Sequence, residues 1–338
     1  TNGVFQFESS GIKNVLRQLK PTTFEHIVAV NALYRPGPSR NIQAFIQRRH
    51  GREKVTILDS SLKTILAPTF GIIVYQEQVM LVAETFAGFT LGEADLLRSA
   101  MSKKKIEKMT AMHEKFVQGA IDLGHDSEQA EQIFAYIDEF ANYGFNRSHA
   151  VAYSKLSFEL AYMKAHYPVA FFTALLNANL GSPEKIRSYI MEAKSRNIEV
   201  SPPNITQSQR FWTADDQKLQ MGLTNIRGVR TDFVSAVLAE RQENGHFKSI
   251  QSFIRRLPDK LRKQDTLIQL VYAGALDAFG YNRSELITAL ADLIEAAGFG
   301  DFILSETKIK KSDDFTLTDK LAHEKEAIGV NLSGHPLD

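Results

Sequence analysis

The chain has 338 residues, 43% of them apolar and 23% charged, with a formal net charge of +1. Its length predicts two domains, or three, because a single core stops growing near about 250–300 residues, and its composition excludes a wholly disordered chain, a collagen and a coiled coil. With no cysteine, a disulfide scaffold, a thiolate catalyst and any Cys-ligated zinc or iron–sulfur centre are excluded; a polyanionic partner has to be met by local patches, not by global charge.

The opening Thr1-Asn2-Gly3-Val4-Phe5-Gln6-Phe7 has no basic or apolar region of a signal peptide. It also lacks an initiator Met, so the chain is expected to be a piece of a longer protein. No apolar run reaches about 18 residues, so no membrane span is expected. The four Asn-x-Ser/Thr matches, at Asn146, Asn204, Asn282 and Asn331, carry little weight without a secretion signal.

The expected fold is mainly α. Val4–Phe7 reads as strand-like. A helix ends near Tyr34, and Pro36-Gly37-Pro38 then makes a stiff turn that presents Arg35. Ile72–Tyr75 is a second strand-like run, and Tyr75-Gln76-Glu77-Gln78 opens a helix where the Glu77 carboxylate suits the dipole. A rigid turn and a capped helix are sufficient readings of these two stretches. Apolar spacing of three to four predicts helices over 76–88, 92–101, 106–123, 127–142, 148–166 and 168–179. Arg98, Lys103, Lys104, Lys105 and Lys108 face only Glu107, at a helix–helix corner. That cluster reads either as a solvated corner or as a phosphate-binding patch.

The stretch Asn142-Tyr143-Gly144-Phe145-Asn146-Arg147-Ser148-His149 is the strongest candidate site. Gly144 and Asn146 tolerate left-handed backbone, so a sharp turn is expected, with Ser148 as N-cap of the next helix. Free N–H groups at a helix start favour an anion. Arg147 adds a planar cationic fork and His149 a second donor; Tyr153, four residues on, shares the face of His149 and can stack on a base. The alternative is that Ser148 merely caps, His149 is a surface histidine and Tyr153 is core.

A boundary signal runs from Asn179 to Gln207, through Gly181-Ser182-Pro183 and Pro202-Pro203. Residues 1–200, 205–298 and 299–338 are the expected segments, the last a polar linker carrying a short helix near 316–328. The middle segment begins with a hairpin pairing Phe211–Thr213 with Leu219–Leu223 across residues 214–218. Ile226-Arg227-Gly228-Val229-Arg230 is a turn before a helix, where Gly228 lets backbone approach a nucleic-acid strand. From Arg241 to Lys263, seven positives, among them Arg255, Arg256 and Lys263, face two acids. A second helix–turn unit follows at Gly274-Ala275-Leu276-Asp277. Missing are an Asp-x-Asp, clustered carboxylates for metal-assisted phosphoryl transfer, and the His-Glu-x-x-His, Gly-x-Ser-x-Gly and Gly-Lys-Ser/Thr signatures. The sequence offers phosphate binders without a catalyst.

Taken together, Gly-Val-Phe-Gln-Phe-Glu-Ser at 3–9, Leu33-Tyr34-Arg35-Pro36-Gly37-Pro38, Tyr75-Gln76-Glu77-Gln78-Val79-Met80, Leu97-Arg98-Ser99-Ala100-Met101-Ser102-Lys103-Lys104-Lys105, Tyr143–His149 and Lys164-Ala165-His166-Tyr167-Pro168 resemble the alpha subunit of bacterial DNA polymerase III. The likeness is to the C-family replicative polymerases, and most to their shorter DnaE type. Gly274–Asp277 and Ser333–Asp338 resemble that family's tandem helix-hairpin-helix region and the segment after it.

The resemblance implies a helical fingers domain over 1–200, a tandem helix-hairpin-helix domain over 205–298 and a linker beyond. It implies templated deoxynucleotide transfer, with Mg2+ held by palm aspartates outside this chain, and no catalytic or metal residue within it. Arg98 and Tyr143, Gly144, Phe145, Asn146, Arg147, Ser148, His149 and Tyr153 are then candidates to touch the nucleotide. Lys103, Lys104, Lys105, Gly228, Arg230, Arg255, Arg256, Lys263 and Gly274 are candidates to touch DNA. Implied partners are primer–template DNA, deoxynucleoside triphosphates, and a sliding clamp and other replisome subunits reached through other regions, in a bacterial cytoplasm at the nucleoid and with no membrane role. Ser99, Arg147 and Arg230 depart from the family's usual Arg, Lys and Gly. Two competing readings are a non-enzymatic helix-hairpin-helix module of a repair or recombination protein, and a protein-binding scaffold using residues 300–338.

Overall fold

The computed structural model describes residues 1–102, 106–141, 144–298 and 308–334. The chain divides into two compact units, Thr1–Tyr162 and Met163–Asp338. Among the described residues the architecture is helical apart from one small sheet, as the apolar spacing predicts.

The first unit begins with α1 (Ser10–Leu19), α2 (Phe24–Leu33) and α3 (Ile42–Arg49). Ser9 Oγ and Thr23 Oγ1 accept from Ile12 N and His26 N, so local caps start the first two. Val4, Phe7, Ile12, Leu19, Leu33, Phe45, Ile72 and Val74 join Ala150 in one apolar cluster. A second cluster gathers α4 (Lys63–Leu66), α5 (Gln76–Ala87), α6 (Leu91–Ser102), α7 (Ile106–Asp122) and α8 (Ser127–Ala141) around Phe86, Phe116 and Ile137. The unit continues into α9 (Arg147–His166), inside which the division falls.

Neither strand-like run of this unit is a strand. Gln6 takes φ 64° and so folds Val4–Phe7 into a turn that buries Val4 and Phe7 together. In Ile72–Tyr75 the amides bond to side chains instead of a ladder: Ile73 N donates to Tyr136 Oη, and Val74 N and Tyr75 N to Gln78 Oε1. Their hydrogen-bonding needs are met without a partner strand, and only an isolated parallel bridge joins Tyr75 to Phe145.

The second unit holds α10 (Pro168–Ala178), α11 (Pro183–Ser195), β1 (Glu199–Ser201), β2 (Thr213–Asp215), β3 (Lys218–Gln220), α12 (Thr231–Asn244), α13 (Ile250–Arg256), α14 (Gln264–Tyr272), α15 (Arg283–Gly298) and α16 (Leu317–Ile328). The sheet order is β1-β3-β2, with β3 parallel to β1 and antiparallel to β2. The expected hairpin exists in a tighter form. Thr213 pairs with Gln220 and Asp215 with Lys218, so only Asp216 and Gln217 turn the chain, with Asp216 at φ 47°.

One core runs through this unit from Val169 to Val330, around Trp212, Phe172, Phe233 and Phe253. It therefore includes α10 and α11, which the Pro202-Pro203 signal assigned to the preceding segment. The described part of 299–338 also differs from a linker. Leu321, Ala327 and Ile328 are buried, Ile309 packs on the core, and Asn282 Nδ2 donates to Ser312 O at 2.7 Å. An amphipathic helix flanked by polar residues looks like a tether in sequence, because its apolar face needs a core supplied from elsewhere.

Candidate functional site

The first two residues of α5 hold the turn that leads into α9. Gln76 N donates to Phe145 O at 2.9 Å, and Gln76 Nε2 donates to Gly144 O at 3.1 Å. Both carboxylate oxygens of Glu77 accept from Arg147 N at 3.0 Å. The Arg147 guanidinium reaches Glu25 at 2.8 Å and lies 5.8 Å from the centre of the Tyr75 ring. Burial pushes the Tyr75 phenol far above its ordinary pKa, with the Glu25 charge adding to that, and its Oη has no hydrogen-bond partner.

The turn differs from expectation in three respects. Asn146, not Ser148, caps α9, since Asn146 Oδ1 accepts from His149 N at 2.9 Å. Neither Gly144 nor Asn146 has positive φ. Glycine is needed at 144 for space, because a Cβ there lies 2.9 Å from Gln76 Cγ and 3.0 Å from Phe140 Cε1. The N–H groups at the helix start are not all free for an anion: Arg147 N is bound to Glu77 and His149 N to Asn146.

What remains open is a cleft of about 270 Å³ lined by Tyr34, Arg35, Phe145, His149 and Tyr153 among others. The Arg35 guanidinium lies 4.1 Å over the Phe145 ring, and its Nε donates to Ala32 O at 3.0 Å. Burial lowers the Arg35 pKa, yet a guanidinium keeps its charge in any ordinary buffer. The His149 ring sits 5.4 Å from Phe145 and 4.1 Å from Tyr153, and Tyr153 meets Phe5 at 5.3 Å. His149 is exposed and Tyr153 is 38% exposed, so neither belongs to the core. A cation, an imidazole and flat aromatic faces around one cleft suit a ligand with both an anionic group and a planar ring.

Of the other residues singled out for this site, Arg98 is on α6, paired with Asp95 at 2.7 Å, and does not line the cleft. Ser148 is exposed. Tyr143 and Lys103, Lys104 and Lys105 lie outside the described residues. Tyr34 and Arg35 are functional candidates that sequence reasoning passed over as a rigid turn. The signal for them was the charged side chain set immediately before Pro36-Gly37-Pro38.

In the second unit the basic run separates into two kinds. Arg256 is consumed internally: Nε donates to Glu240 Oε1 at 2.7 Å, and Nη2 to Glu240 O at 2.9 Å and Gly245 O at 2.8 Å. Its guanidinium also lies 4.5 Å over the Phe247 ring, and its hydrogen bond holds the Glu240 carboxyl below the usual range. Arg241 donates to Ile205 O and Ser208 O, and Arg262 to Leu257 O, Ala297 O and Arg255 O. Lys248, Arg255, Lys260 and Lys263 are exposed, as is Arg230, which pairs with Asp232 at 3.3 Å.

The two hairpin glycines also part company. Gly228 is exposed at φ 76°, before α12. Gly274 is buried at φ 74°, and a Cβ on it lies 2.4 Å from Arg283 Nη2. That glycine makes room for an internal arginine, and the Arg256 guanidinium is likewise turned onto internal acceptors.

No described helix is long and apolar enough to cross a membrane. Among the described residues no group of three or more His, Asp or Glu is placed to hold a metal ion.

Residues 1–124 match the family described as bacterial DNA polymerase III alpha subunit finger domain, and residues 197–286 match the helix-hairpin-helix motif. Over its whole length the chain is 42% identical to the DNA polymerase III alpha subunits of Bacillus subtilis, Halalkalibacterium halodurans and Staphylococcus aureus. It spans 31%, 31% and 32% of those proteins respectively, about a third of their length. The resemblance carried by the sequence motifs thus extends over all 338 residues.

Proposed function

We propose that this stretch is the fingers and duplex-binding part of a replicative DNA-directed DNA polymerase. The observation that carries the reading is the 42% identity along the entire chain to polymerase III alpha subunits. In the intact enzyme the primer 3′-oxygen attacks the α-phosphorus of a templated deoxynucleoside triphosphate, and pyrophosphate leaves. The first unit positions that triphosphate: Arg35 and His149 meet its phosphates, and the rings of Phe145 and Tyr153 offer faces to its base or sugar. Positioning and charge neutralisation supply much of phosphoryl-transfer catalysis. Arg98 and Arg147 keep a secondary place, close to ion-pair partners that a phosphate has to outcompete.

Such polymerases need a divalent cation, which we assign as Mg2+. Its ligands are assigned to the two-thirds of the relatives' length that this stretch does not span. Primer–template DNA, deoxynucleoside triphosphates, a sliding clamp and other replisome subunits are the proposed partners of the intact protein, in the bacterial cytoplasm. The domain assignment follows the units: fingers in Thr1–Tyr162, helix-hairpin-helix DNA binding in the 197–286 part of the second unit.

Primer extension tests the division of labour. The 338-residue chain by itself is expected to extend no primer and yet to bind a deoxynucleoside triphosphate. Metal-dependent extension by the pure chain overturns the placement of the catalytic acids elsewhere. Absence of triphosphate binding favours a non-enzymatic DNA-binding module, to which the helix-hairpin-helix match also corresponds.

The second unit is expected to bind duplex DNA weakly and without sequence preference. If three or four phosphates are engaged, the log–log salt slope falls between about −2.7 and −3.6, at roughly −0.9 per phosphate. Replacing Arg255 and Lys263 by Ala lowers affinity equally for all sequences and reduces the slope by up to about 2. Arg256→Ala instead lowers thermal stability, because it strands the partly buried Glu240. Titrations of unrelated duplexes at several salt concentrations check this, and salt-independent binding or one strongly preferred sequence counts against a phosphate-tracking surface.

A further inference from the structure

Resting on the nucleotide reading of the cleft, we infer that Gln76 and Glu77 are positioning residues that set the nucleotide-binding turn, Glu77 by accepting the Arg147 amide at the start of α9. The turn 144–147 is held at three backbone points by these two neighbouring residues. Gln76 takes the carbonyls of Gly144 and Phe145, and Glu77 takes the amide of Arg147 through both oxygens. The clamp is itself fixed from beneath. Gln78 is buried, accepts from Val74 N and Tyr75 N, and donates to Ile65 O at 3.0 Å and Thr69 Oγ1 at 2.8 Å.

The turn in turn fixes the cleft. Phe145 carries the Arg35 guanidinium on its ring, and His149 is tied to Asn146 through its amide. A shift of the 144–147 backbone therefore moves the aromatic face, the cation resting on it and the imidazole together. With Arg147 N on Glu77 and His149 N on Asn146, an anionic ligand in the cleft is met by the side chains of Arg35 and His149, not by the backbone of α9. The opposite arrangement is a carboxylate that merely keeps a phosphate's place and must leave when the ligand arrives. The two make predictions of opposite sign for removal of the carboxylate.

Two measurements on the 338-residue chain decide between them. One is the dissociation constant of a deoxynucleoside triphosphate, and the other is amide hydrogen exchange at 144–150. Glu77→Ala is expected to weaken triphosphate binding about tenfold or more, the scale of a lost hydrogen bond to a charged group. It speeds exchange of the Arg147 amide by a similar factor and leaves duplex binding unchanged. Glu77→Gln, which keeps one acceptor oxygen, stays within about threefold of the parent in both measurements. Gln76→Ala follows Glu77→Ala in direction.

Asp59→Ala serves as the stability control. It removes a carboxylate that accepts from Ser61 N and Oγ in the same unit and does not touch the turn. Unchanged binding and exchange in Glu77→Ala overturn the inference, as does an equal loss in Asp59→Ala. Tighter binding in Glu77→Ala also overturns it, because the carboxylate is then a competitor. If the parent chain binds no triphosphate the nucleotide reading fails, and the exchange measurement alone decides whether Glu77 holds the turn.

Discussion

Arg283→Met is expected to destabilise the second unit by about 3–5 kcal/mol, the cost of stranding the partner of a buried ion pair. Arg283 is 4% exposed and Glu324 is fully buried. Arg283 Nη1 donates to Glu324 Oε1 at 3.1 Å, and Nη2 to Asp277 Oδ2 at 2.9 Å. Glu324 also accepts from Leu332 N at 2.7 Å, Ser333 N at 3.0 Å and Ser333 Oγ. One carboxylate thus ties α16 and the chain after it to Arg283 of α15, whose guanidinium in turn holds Asp277 beside the Gly274 turn. Without the guanidinium it is left in the core with its charge uncompensated.

For a unit of this size the loss corresponds to a fall in Tm of roughly 6–20 °C. The single Trp212 lies in this unit's core and reports its unfolding by fluorescence. A change under about 1 kcal/mol contradicts the assignment, being the range of an exposed pair. The same network gives a pH dependence. Burial, the largest influence on Glu324, pushes its carboxyl up. Hydrogen bonds from Ser333 and Leu332 and the charge of Arg283 outweigh burial and hold it below the usual carboxylate range. Its contribution is therefore complete above the unfolded value and is lost as pH falls through the lower folded value. Acid unfolding of the second unit is expected to begin below the ordinary carboxylate range, and in Arg283→Met it begins at higher pH.

The second large effect concerns the nucleotide. In an intact polymerase containing this chain, His149→Ala and Arg35→Ala are each expected to lower kcat/KM for the incoming deoxynucleotide about 10- to 100-fold. A hydrogen bond to a charged group is worth about 1.5–3 kcal/mol, and each 1.4 kcal/mol is a factor of ten. Affinity for primed DNA stays within about threefold, because the duplex is assigned to the second unit. Arg35→Lys restores little, since a compact ammonium does not lie flat on the Phe145 ring as a guanidinium does. Steady-state kinetics at saturating primed DNA check this. Equal efficiency in a folded His149→Ala means that the histidine is only a surface residue at a helix start.

The arrangement explains why Tyr75-Gln76-Glu77-Gln78 and Gly144-Phe145-Asn146-Arg147 carry so many polar side chains in a largely apolar neighbourhood. Gln78 satisfies the amides of a buried run that is not in a sheet. Gln76 and Glu77 satisfy the turn opposite. Fixing these groups costs conformational entropy, and what that cost secures is a single placement of Phe145 and His149.

Most helices were legible from the sequence alone, because three-to-four apolar spacing is local and survives any tertiary context. The expected 92–101, 127–142 and 168–179 became Leu91–Ser102, Ser127–Ala141 and Pro168–Ala178. The resemblance to polymerase III alpha subunits was equally legible, in short ordered motifs. Partner choice was decided only in three dimensions. Glu77 meets Arg147 across 70 residues, and Glu25 meets it across 122, separations about which no local rule speaks. Strand-forming composition at Val4–Phe7 and Ile72–Tyr75 was overridden, because side chains and a turn satisfied those amides first. Charge counting placed Arg256 among the phosphate binders, whereas the fold folds its guanidinium inward onto carbonyls and a carboxylate. Composition fixes how many cations a segment carries. Which of them face water depends on where the chain brings acceptors, and that is settled only when distant segments pack.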